Sequence, residues 1–419
     1  GKMFVEFKLP RHQAGSWLKA TAATVVALLT GTAVLAQEDT IRQQDPVLLG
    51  TITITGQKFE RDLQDTDASV AVVIPEEGLA AATTSPLEAV ERLPNVERFA
   101  NERGLTIRGI GQTGFGFGET NFSLTRSPGD LIATYVDGIP VSVYGGPLRF
   151  WDVEQIEVLR GAQSTLLGRG SLGGAVVYET RDPDFSNDSV VRLSFGTNNQ
   201  RGLSLATGGT LIEATLAFRL SLDAQQGPEF NDNLTTGLPE DASQSLNGRF
   251  KLLYTGDAGQ EIEFTLLRSE TELGTTFVDG GLYPAQRAVT SDVPETFEND
   301  ITGASVRTSF ELGGPFSLET VTAFVEEDAI RTFDVDQTAA PLLEALFADD
   351  IRTFSQEVRF RYETDRFEGF AGLYYEDFRG NGRFDAGAFG SNTTDQSTQT
   401  LALFGEGIYA LNDRADLTF

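Results

Sequence analysis

The second half of the chain alternates apolar and polar residues in one short segment after another. In one of these segments Phe250, Leu252 and Tyr254 fall on one face, while Arg249 and Lys251 fall on the other. This period of two predicts β-strands. A strand that is apolar on one side and charged on the other suits a wall between lipid and a wet lumen, although the strands of a soluble β-sandwich also alternate.

The links between the strands favour a membrane barrel over a sandwich. The alternation predicts eleven strands, near residues 189–197, 200–208, 213–226, 244–255, 260–272, 301–312, 316–332, 351–363, 367–380, 397–410 and 414–419. Tight turns are predicted at residues 209–210, 256–259, 313–315, 364–366 and 411–413, and long links at residues 227–243, 273–300, 333–350 and 381–396. Alternation of short turns with long loops is typical of outer-membrane barrels, whereas the loops of a sandwich vary in length at both ends.

An odd number of strands predicts that the chain is truncated and that the barrel continues past Phe419. Bacterial single-chain barrels have an even number of strands, because both chain ends lie on the periplasmic side. A last strand that ends at Phe419 would otherwise leave an unpaired edge. A complete chain with a terminal Phe is the alternative.

A compact, glycine-rich α+β domain is predicted over residues 58–187. Its short strands are expected near residues 70–74, 105–109, 131–136, 153–159 and 174–180. A helix is predicted to begin after Ser85, which serves as the N-cap ahead of Pro86, and to end at Pro94.

Three glycines of this domain, Gly168, Gly170 and Gly173, match the G-x-G-x-x-G pattern of dinucleotide-binding proteins. That pattern needs a helix directly after it, whereas the β-branched residues that follow here predict a strand. We therefore expect tight backbone turns at these glycines and no nucleotide enzyme.

The N-terminus is predicted to be a secretory signal that covers residues 1–36. Basic residues precede an apolar stretch that ends in the small residues Val34 and Ala36, which is the arrangement of a cleavable signal. A short membrane anchor is the alternative. Residues 37–49 are polar and aperiodic, so the segment 37–57 is expected to begin as a disordered tether.

A short strand is predicted at the end of the tether. Thr51, Ile52, Thr53, Ile54 and Thr55 are all β-branched and alternate between polar and apolar side chains. A strand on a flexible segment is suited to addition to the sheet edge of another protein. The alternative is an ordinary first strand of the following domain.

Composition excludes several classes of function. The chain has a formal charge of −29, no Cys, and His12 as its single His. There is no basic surplus for binding nucleic acid, and the chain lacks the residues for thiolate metal sites, Cys nucleophiles or His-based triads. We expect no catalytic residues, no resident cofactor and no metal site.

Five motifs lie close together in the glycine-rich domain. They are YVDGIP at residues 135–140, DVEQIEVLRG at 152–161, STL at 164–166, GRGSLGG at 168–174 and TRDP at 180–183. Together they resemble the plug signature of the TonB-dependent outer-membrane receptors.

This resemblance implies an all-β transmembrane barrel of 22 antiparallel strands, of which residues 188–419 supply about half. The α+β domain at residues 58–187 becomes a plug inside the lumen, and residues 51–55 become the TonB box, bound by TonB with its ExbB–ExbD motor. The expected location is the outer membrane of a Gram-negative bacterium. The expected protein is a monomer that contacts lipid and a small-molecule ligand.

The function that the resemblance implies is active import of a scarce ligand, most commonly a ferric siderophore. Cobalamin, another metal chelate or a saccharide are alternative cargoes. A passive substrate-selective porin is the alternative function, although a porin needs neither a plug nor a TonB box. A signal-transducing receptor would carry a folded domain before the TonB box, for which residues 37–49 are too few.

The resemblance also implies two sets of site residues. Arg108 and Arg160 match plug arginines that face barrel glutamates, for which Glu357 and Glu406 are the candidates. Solvated pairs of this kind would contribute less than about 1 kcal/mol each. The plug apices expected to face the ligand carry Gln112, Phe115, Phe117 and Tyr144.

Overall fold

The computed structural model describes residues 53–54, 61–62, 69–74, 90–98, 105–111, 131–141, 151–162, 171–227, 229–274, 287–412 and 415–419. The predicted signal at residues 1–36 and the polar stretch at 37–49 lie outside these residues. Among the residues that are described, no helix is both long and apolar enough to cross a bilayer.

The N-terminal half folds into small sheets. Its described strands are β1 (Thr53–Ile54), β2 (Arg61–Asp62), β3 (Val70–Val73), β4 (Val96–Arg98), β5 (Leu105–Ile107), β6 (Ile110–Gly111), β7 (Ile132–Val136), β8 (Ile139–Val141), β9 (Val153–Arg160) and β10 (Gly174–Thr180). Five of them form one sheet in the order β3-β9-β10-β7-β8, in which β7 and β10 are parallel and the other neighbours antiparallel. The strands predicted for this domain are present as β3, β5, β7, β9 and β10. Residues 86–89 of the predicted helix lie outside the described residues. The predicted end at Pro94 is wrong, because Val90 is the last helical residue and residues 91–95 form turns before β4.

The plug sheet is buried on both faces. Ile156 and Val176 belong to the cluster on one face, and Leu159 and Val177 belong to the cluster on the other. The first cluster continues onto the barrel wall, where it includes Ile301. The plug and the wall therefore share part of one apolar core, in which each fully buried aliphatic side chain contributes roughly 2 kcal/mol.

The second half of the chain forms the wall. Its strands are β11 (Asp188–Phe195), β12 (Arg201–Ile212), β13 (Leu216–Gln226), β14 (Asp232–Asn233), β15 (Ser243–Thr255), β16 (Glu261–Gly274), β17 (Ala288–Val289), β18 (Thr296–Gly313), β19 (Phe316–Asp334), β20 (Glu344–Glu363), β21 (Phe367–Asp385), β22 (Ser391–Asn412) and β23 (Ala415–Thr418). Eleven of these pair in sequence order into one antiparallel sheet, while β14 and β17 pair with each other. The eleven predicted strands are confirmed.

The structure corrects several predicted strand ends. β18, β20 and β22 begin at Thr296, Glu344 and Ser391, earlier than predicted, and so shorten the links before them. The long link predicted at residues 381–396 is wrong, since β21 also extends to Asp385 and only residues 386–390 remain between the two strands. The added residues are mostly polar, and backbone pairing holds them in the sheet although they carry no apolar alternation. The turn predicted at residues 209–210 is also wrong, since β12 runs through them with a register shift and the chain turns at residues 213–215.

The register places one face of the wall toward the plug and the other toward lipid. Lys251, Thr265 and Ser305 are register partners on neighbouring strands, and all three are buried on the lumen side. The adjacent row carries Leu266 and Phe324, which are exposed on the outer side. The sheet is therefore polar toward the lumen and apolar toward the bilayer, as the alternation predicts.

Candidate functional site

Three carboxylates mark one end of the plug sheet. Asp137 follows β7, Asp152 directly precedes β9, and Asp182 follows β10. Because β10 runs parallel to β7 and antiparallel to β9, these three chain positions meet at the same edge. We call these residues the plug carboxylates.

The turn that carries Asp137 is held in one shape. Asp137 and Gly138 have φ of 49° and 79°, the left-handed conformations of a two-residue hairpin turn. The carboxylate accepts the backbone N–H of Thr180 at 2.9 Å and its hydroxyl at 2.6 Å. The backbone N–H of Asp137 donates to the carbonyl of Tyr178 at 3.0 Å. A charged group is thus fixed at the plug edge.

The wall supplies the opposing cations from two neighbouring strands, β13 and β15. Lys251 on β15 brings its ammonium to 3.1 Å from Asp137 and 2.5 Å from Asp182, with 1% of its own side chain exposed. It also donates to the carbonyl of Thr180 at 3.2 Å and lies 3.9 Å from Glu263 on β16. The ammonium is thus compensated on several sides, as a buried charge requires.

Two arginines extend the same interface. Arg219 on β13 makes a two-pronged contact with Asp152, with both N–O distances at 2.6 Å, and a third contact of 3.0 Å with Asp188. Arg249 on β15 donates to the carbonyls of Trp151 and Asp152 at 3.0 and 3.1 Å. Planar fork geometry makes the Arg219 pair stronger than a single-point contact.

A second contact between the plug and the wall, that of Glu179 with Arg307, adjoins this cluster. Burial raises the pKa of Glu179 in the plug to about 7, against the attraction of Arg307 on β18, whose guanidinium lies 4.0 Å away; Asp137 and Asp182 raise it further. Burial also opposes ionisation of Asp182, but Lys251 outweighs it and holds the pKa of Asp182 below its ordinary value.

The chemistry of this interface is attachment. Its members are carboxylates facing ammonium and guanidinium groups, so it holds the plug by charge. In the described part of the chain, no three His, Cys, Asp or Glu residues are arranged to hold a metal ion. We call the interface formed by the plug carboxylates with Arg219, Arg249 and Lys251 the plug latch.

The predicted ion-pair residues occupy other places in the lumen. The guanidinium of Arg108 donates to Ser69 Oγ at 3.0 Å and that of Arg160 to the carbonyl of Pro94 at 3.2 Å. Glu357 on β20 lies 2.9 Å from Arg359 on the same strand. Glu406 on β22 is the register partner of Phe370. The contact between plug arginines and these two glutamates stays a prediction.

The remaining predicted site residues fall largely outside the described residues. This applies to Thr51, Ile52 and Thr55, and to the plug apices Gln112, Phe115, Phe117 and Tyr144. The backbones of Thr53 and Ile54 pair antiparallel with those of Asp62 and Arg61.

Sequence reasoning missed the plug latch although its signals are present. Asp137 and Asp182 belong to the motifs at residues 135–140 and 180–183, and Arg249 and Lys251 lie on the polar face of the first strand considered above. Alternation assigns those cations to the lumen, but it does not show which plug residues they meet.

Comparison with known proteins agrees with this architecture. Residues 62–175 match the family described as TonB-dependent Receptor Plug Domain. The chain is 32% identical over 222 residues to a ferrioxamine B receptor of Salmonella typhimurium, covering 48% of this chain and 29% of that protein. It is 26% identical to the vitamin B12 transporter BtuB of Vibrio vulnificus, covering 45% of this chain and 30% of that protein. The chain therefore spans about three tenths of the length of these relatives.

Solved structures show the same fold at low sequence identity. The ferric yersiniabactin uptake receptor FyuA of Yersinia pestis superposes with a TM-score of 0.72 at 20% identity, over 84% of this chain and 56% of that one. The ferripyoverdine receptor of Pseudomonas aeruginosa gives a TM-score of 0.68 at 14% identity, over 95% of this chain and 58% of that one. Both likenesses concern the plug and part of the barrel wall.

Proposed function

Because this chain is a TonB-dependent receptor-like protein of the Gram-negative outer membrane, we propose that it takes part in TonB-dependent import of a scarce ligand. In this proposal residues 1–36 are the secretory signal and residues 37–57 are the tether with the TonB box. Residues 58–187 are the plug, and residues 188–419 are the first half of the wall.

The observation that supports import over passive diffusion is the plug latch. Lys251 and Arg219 hold plug carboxylates at 2.5–3.1 Å in places where the wall side chains are almost fully buried. A plug that is held this firmly closes a passive route through the barrel lumen. The plug latch consists of charges, and water can solvate charges once they separate, so a pulling force can open the latch without dismantling the wall.

The TonB box supplies the point of attachment for that force. In the proposal, ligand binding at the outer mouth favours the plug conformation in which residues 51–55 are available, a population shift that follows from differential affinity. TonB then adds a strand to this segment, and the ExbB–ExbD motor acts through it. Within the described residues, Thr53 and Ile54 of this segment pair with Asp62 and Arg61, and binding of TonB would replace this pairing.

An iron-loaded siderophore is the first candidate for the ligand. The relative with 32% identity bears the name of a ferrioxamine B receptor, and two structural neighbours are named for ferric yersiniabactin and ferripyoverdine. A cobalamin cargo is the second candidate, because another relative is named as a vitamin B12 transporter.

Uptake of radiolabelled ligands tests the proposal. The full-length receptor and its Ile54→Pro variant are expressed in cells that lack the gene, and uptake is measured with radioactive iron in ferric hydroxamate and ferric catecholate and with radioactive cobalt in cobalamin. Pro removes a backbone donor from the TonB box, so uptake should fall to the level of cells without the receptor. Ile54→Val keeps the donor and should keep uptake. Equal uptake by Ile54→Pro and the wild type would favour a passive porin.

A further inference from the structure

Most of the described lumen-facing cations of the wall lie in the half of the lumen nearest the short turns. Arg219, Lys251, Arg307, Arg359 and Arg361 all face the lumen there, and each has a carboxylate within 4.0 Å. We define the outer lumen by two groups of residues. The first is the lumen-facing side chains in the register row through Asp223, Ser269 and Ile351 and in all rows farther from the short turns. The second is the described residues 229–242, 287–295 and 334–344 at the outer ends of the long strands.

The outer lumen has a large surplus of acidic residues. Among its described residues the acidic ones are Asp223, Glu229, Asp232, Glu240, Asp241, Asp292, Glu295, Glu327, Asp334, Asp336, Glu344 and Asp349, against the basic Arg192, Arg287 and Arg331. The sequence at residues 112–130, 142–150, 163–170 and 275–286 does not offset this surplus, because its acidic residues Glu119, Asp130 and Asp279 equal in number its basic residues Arg126, Arg149 and Arg169.

All three basic side chains already face aromatic rings. The guanidinium of Arg192 lies 4.3 Å from the Trp151 ring centroid, that of Arg331 lies 5.0 Å from the Phe333 ring centroid, and that of Arg287 lies 5.6 Å from the Phe230 ring centroid. Phe333 also stacks on Phe347 at 5.7 Å between centroids. Aromatic faces attract cations and offer nothing comparable to anions, so this wall adds to the preference that the carboxylates set.

Buried acceptors without partners point to a ligand that carries donors. Asn299 on the lumen side of β18 is 3% exposed, and its Oδ1 accepts no hydrogen bond. Asp334 is 1% exposed, and its Oδ2 likewise accepts none, while its Oδ1 accepts the N–H groups of Asp336 and Gln337. Both atoms are acceptors, and an acceptor is satisfied by an ammonium, amide N–H or hydroxyl group. In the boundary row between Asp223 and Ser269, Asn247 Nδ2 is a buried donor without a partner.

Asp349 places one carboxylate at an accessible point of this surface. It lines a small hollow in the wall together with Phe378, Gly382 and Thr394. Gly382 is the register partner of both Asp349 and Thr394, so no side chain stands between the two. Thr394 is therefore a suitable position for a probe of the potential that Asp349 helps to set.

We propose that the outer lumen admits cationic and neutral donor-bearing ligands in preference to anionic ones. This inference rests on the proposed import function and adds the charge class of the ligand to it. A cleft lined by charges of one sign focuses the field and raises the local concentration of opposite charge by about 10-fold or more. An anionic chelate would meet a barrier of the same origin.

Charged thiol reagents measure this preference without knowledge of the natural ligand. The chain contains no Cys, so Thr394→Cys in the full-length receptor provides a defined target within this chain. Its reaction rates with a trimethylammonium methanethiosulfonate and a sulfonate methanethiosulfonate are compared with those of free cysteine. We expect the cation-to-anion rate ratio at Thr394→Cys to exceed that of free cysteine by about 10-fold at low salt and to approach it at high salt.

A matched pair of charge removals identifies the source. Asp349→Asn should lower the ratio by about threefold, since only Gly382 separates Asp349 from the probe in the register row and a partly buried charge is screened less than one in bulk water. Asp395→Asn removes the same charge next to the probe but on the outward face of β22, and should leave the ratio unchanged. A ratio at or below that of free cysteine, or an equal effect of the two substitutions, would overturn the inference. Loss of uptake in Ile54→Pro would leave the import proposal standing in that case, whereas full uptake in Ile54→Pro would refute import itself.

Discussion

Lys251 of the wall and Asp137 of the plug bring their charged atoms to 3.1 Å, with 1% and 0% of the two side chains exposed. The polarity of this contact is opposite to that of the predicted one, which pairs plug arginines with wall glutamates. The described lumen thus attaches the plug through wall cations and plug carboxylates. Such a contact is costly to break from one side only, because it leaves a buried charge without compensation.

Removing the ammonium should loosen the plug strongly. Lys251→Met keeps most of the side-chain volume but leaves Asp137, Asp182 and Glu263 together without their shared cation. We expect a loss of about 3 kcal/mol or more in the stability of plug attachment. Amide hydrogen exchange of β9 and β10, recorded as a function of urea concentration in the full-length receptor, measures this stability.

The matched control is a cation on the outer face of the wall. Arg268 lies 2.8 Å from Glu270 and 2.7 Å from Asp300, but 42% of its side chain is exposed. Arg268→Met should change the stability of plug attachment, measured in the same way, by less than about 1 kcal/mol. Equal effects of the two substitutions would mean that Lys251 does not hold the plug.

Burial, at constant distance, should decide the strength of the arginine pairs. Arg219–Asp152 and Arg383–Asp385 both have N–O distances of 2.6 Å, but the first pair is about 5% exposed and the second is 59% and 31% exposed. Double-mutant cycles with Arg→Lys and Asp→Asn should give a coupling energy of about 2 kcal/mol for the first pair. The second should give a much smaller coupling energy, because solvent screens it; similar values for both would contradict the role assigned to Arg219.

Gly138 should be sensitive for two separable reasons. Its φ of 79° disfavours any other residue, and an added Cβ would lie 3.2 Å from Val321 Cγ1 on the wall. Gly138→Ala should therefore lower plug stability by about 1–2 kcal/mol, measured by the same urea titration. The additional substitution Val321→Ala should recover the part that comes from the wall contact.

Gly259 provides the control for conformation alone. Its φ is 77°, and an added Cβ would meet nothing closer than 4.0 Å. Gly259→Ala should lower the stability of the wall by about 1 kcal/mol, with no gain from Val321→Ala. If Val321→Ala fails to improve Gly138→Ala, the proximity of Gly138 to the wall has no energetic consequence.

The strands of the wall could be predicted because each separates two solvents. Phe250 faces lipid and Lys251 faces the lumen, so a period of two is imposed along the whole apolar band. The strand ends could not be predicted as well. Residues 391–396 contain no apolar side chain, yet backbone pairing with β21 keeps them in the sheet. Alternation is a signal of environment, and outside the bilayer both faces of a strand are wet.

The plug latch could be predicted only in part, for a related reason. The motif at residues 135–140 and the polar face of β15 each attract notice in the sequence. Their contact joins residues more than 100 positions apart, Asp137 and Lys251, and it depends on the orientation of the plug inside the wall. Local pattern carries no information about that orientation. Resemblance directed attention to Arg108 and Arg160, whose described hydrogen bonds stay within the plug.

Arg160 offers a test of the predicted second attachment. Arg160→Glu reverses the charge that is expected to face Glu357 and Glu406, and it also removes the hydrogen bond to the Pro94 carbonyl. We expect increased entry of small antibiotics that the intact receptor excludes, measured as sensitivity of cells that express the full-length protein. Arg160→Lys keeps the charge and should restore most of the barrier. Unchanged sensitivity in Arg160→Glu would refute this attachment.

The stability of the plug should decrease as the pH rises toward neutrality. In the folded plug burial raises the pKa of Glu179 to about 7, and in the unfolded plug it returns toward 4.5. Between these values the folded state binds the proton more tightly, so stability falls as pH rises and the loss is complete above about 7. From pH 5.5 to 8 Glu179 should contribute about 2 kcal/mol at most to this loss, since one pKa unit corresponds to about 1.4 kcal/mol.

The same urea titration, run at pH 5.5 and pH 8, checks this sign. The wild-type midpoint should be lower at pH 8, because Glu179 then carries a charge near Asp137 and Asp182 that Arg307 and Lys251 only partly offset. Glu179→Gln stays neutral at both pH values and should show a smaller shift than the wild type. Glu154→Gln, at an exposed position of β9, should shift as the wild type does. A wild-type midpoint that rises with pH would show that Glu179 is ionised in the folded plug throughout this range, with Arg307 and Lys251 outweighing its burial.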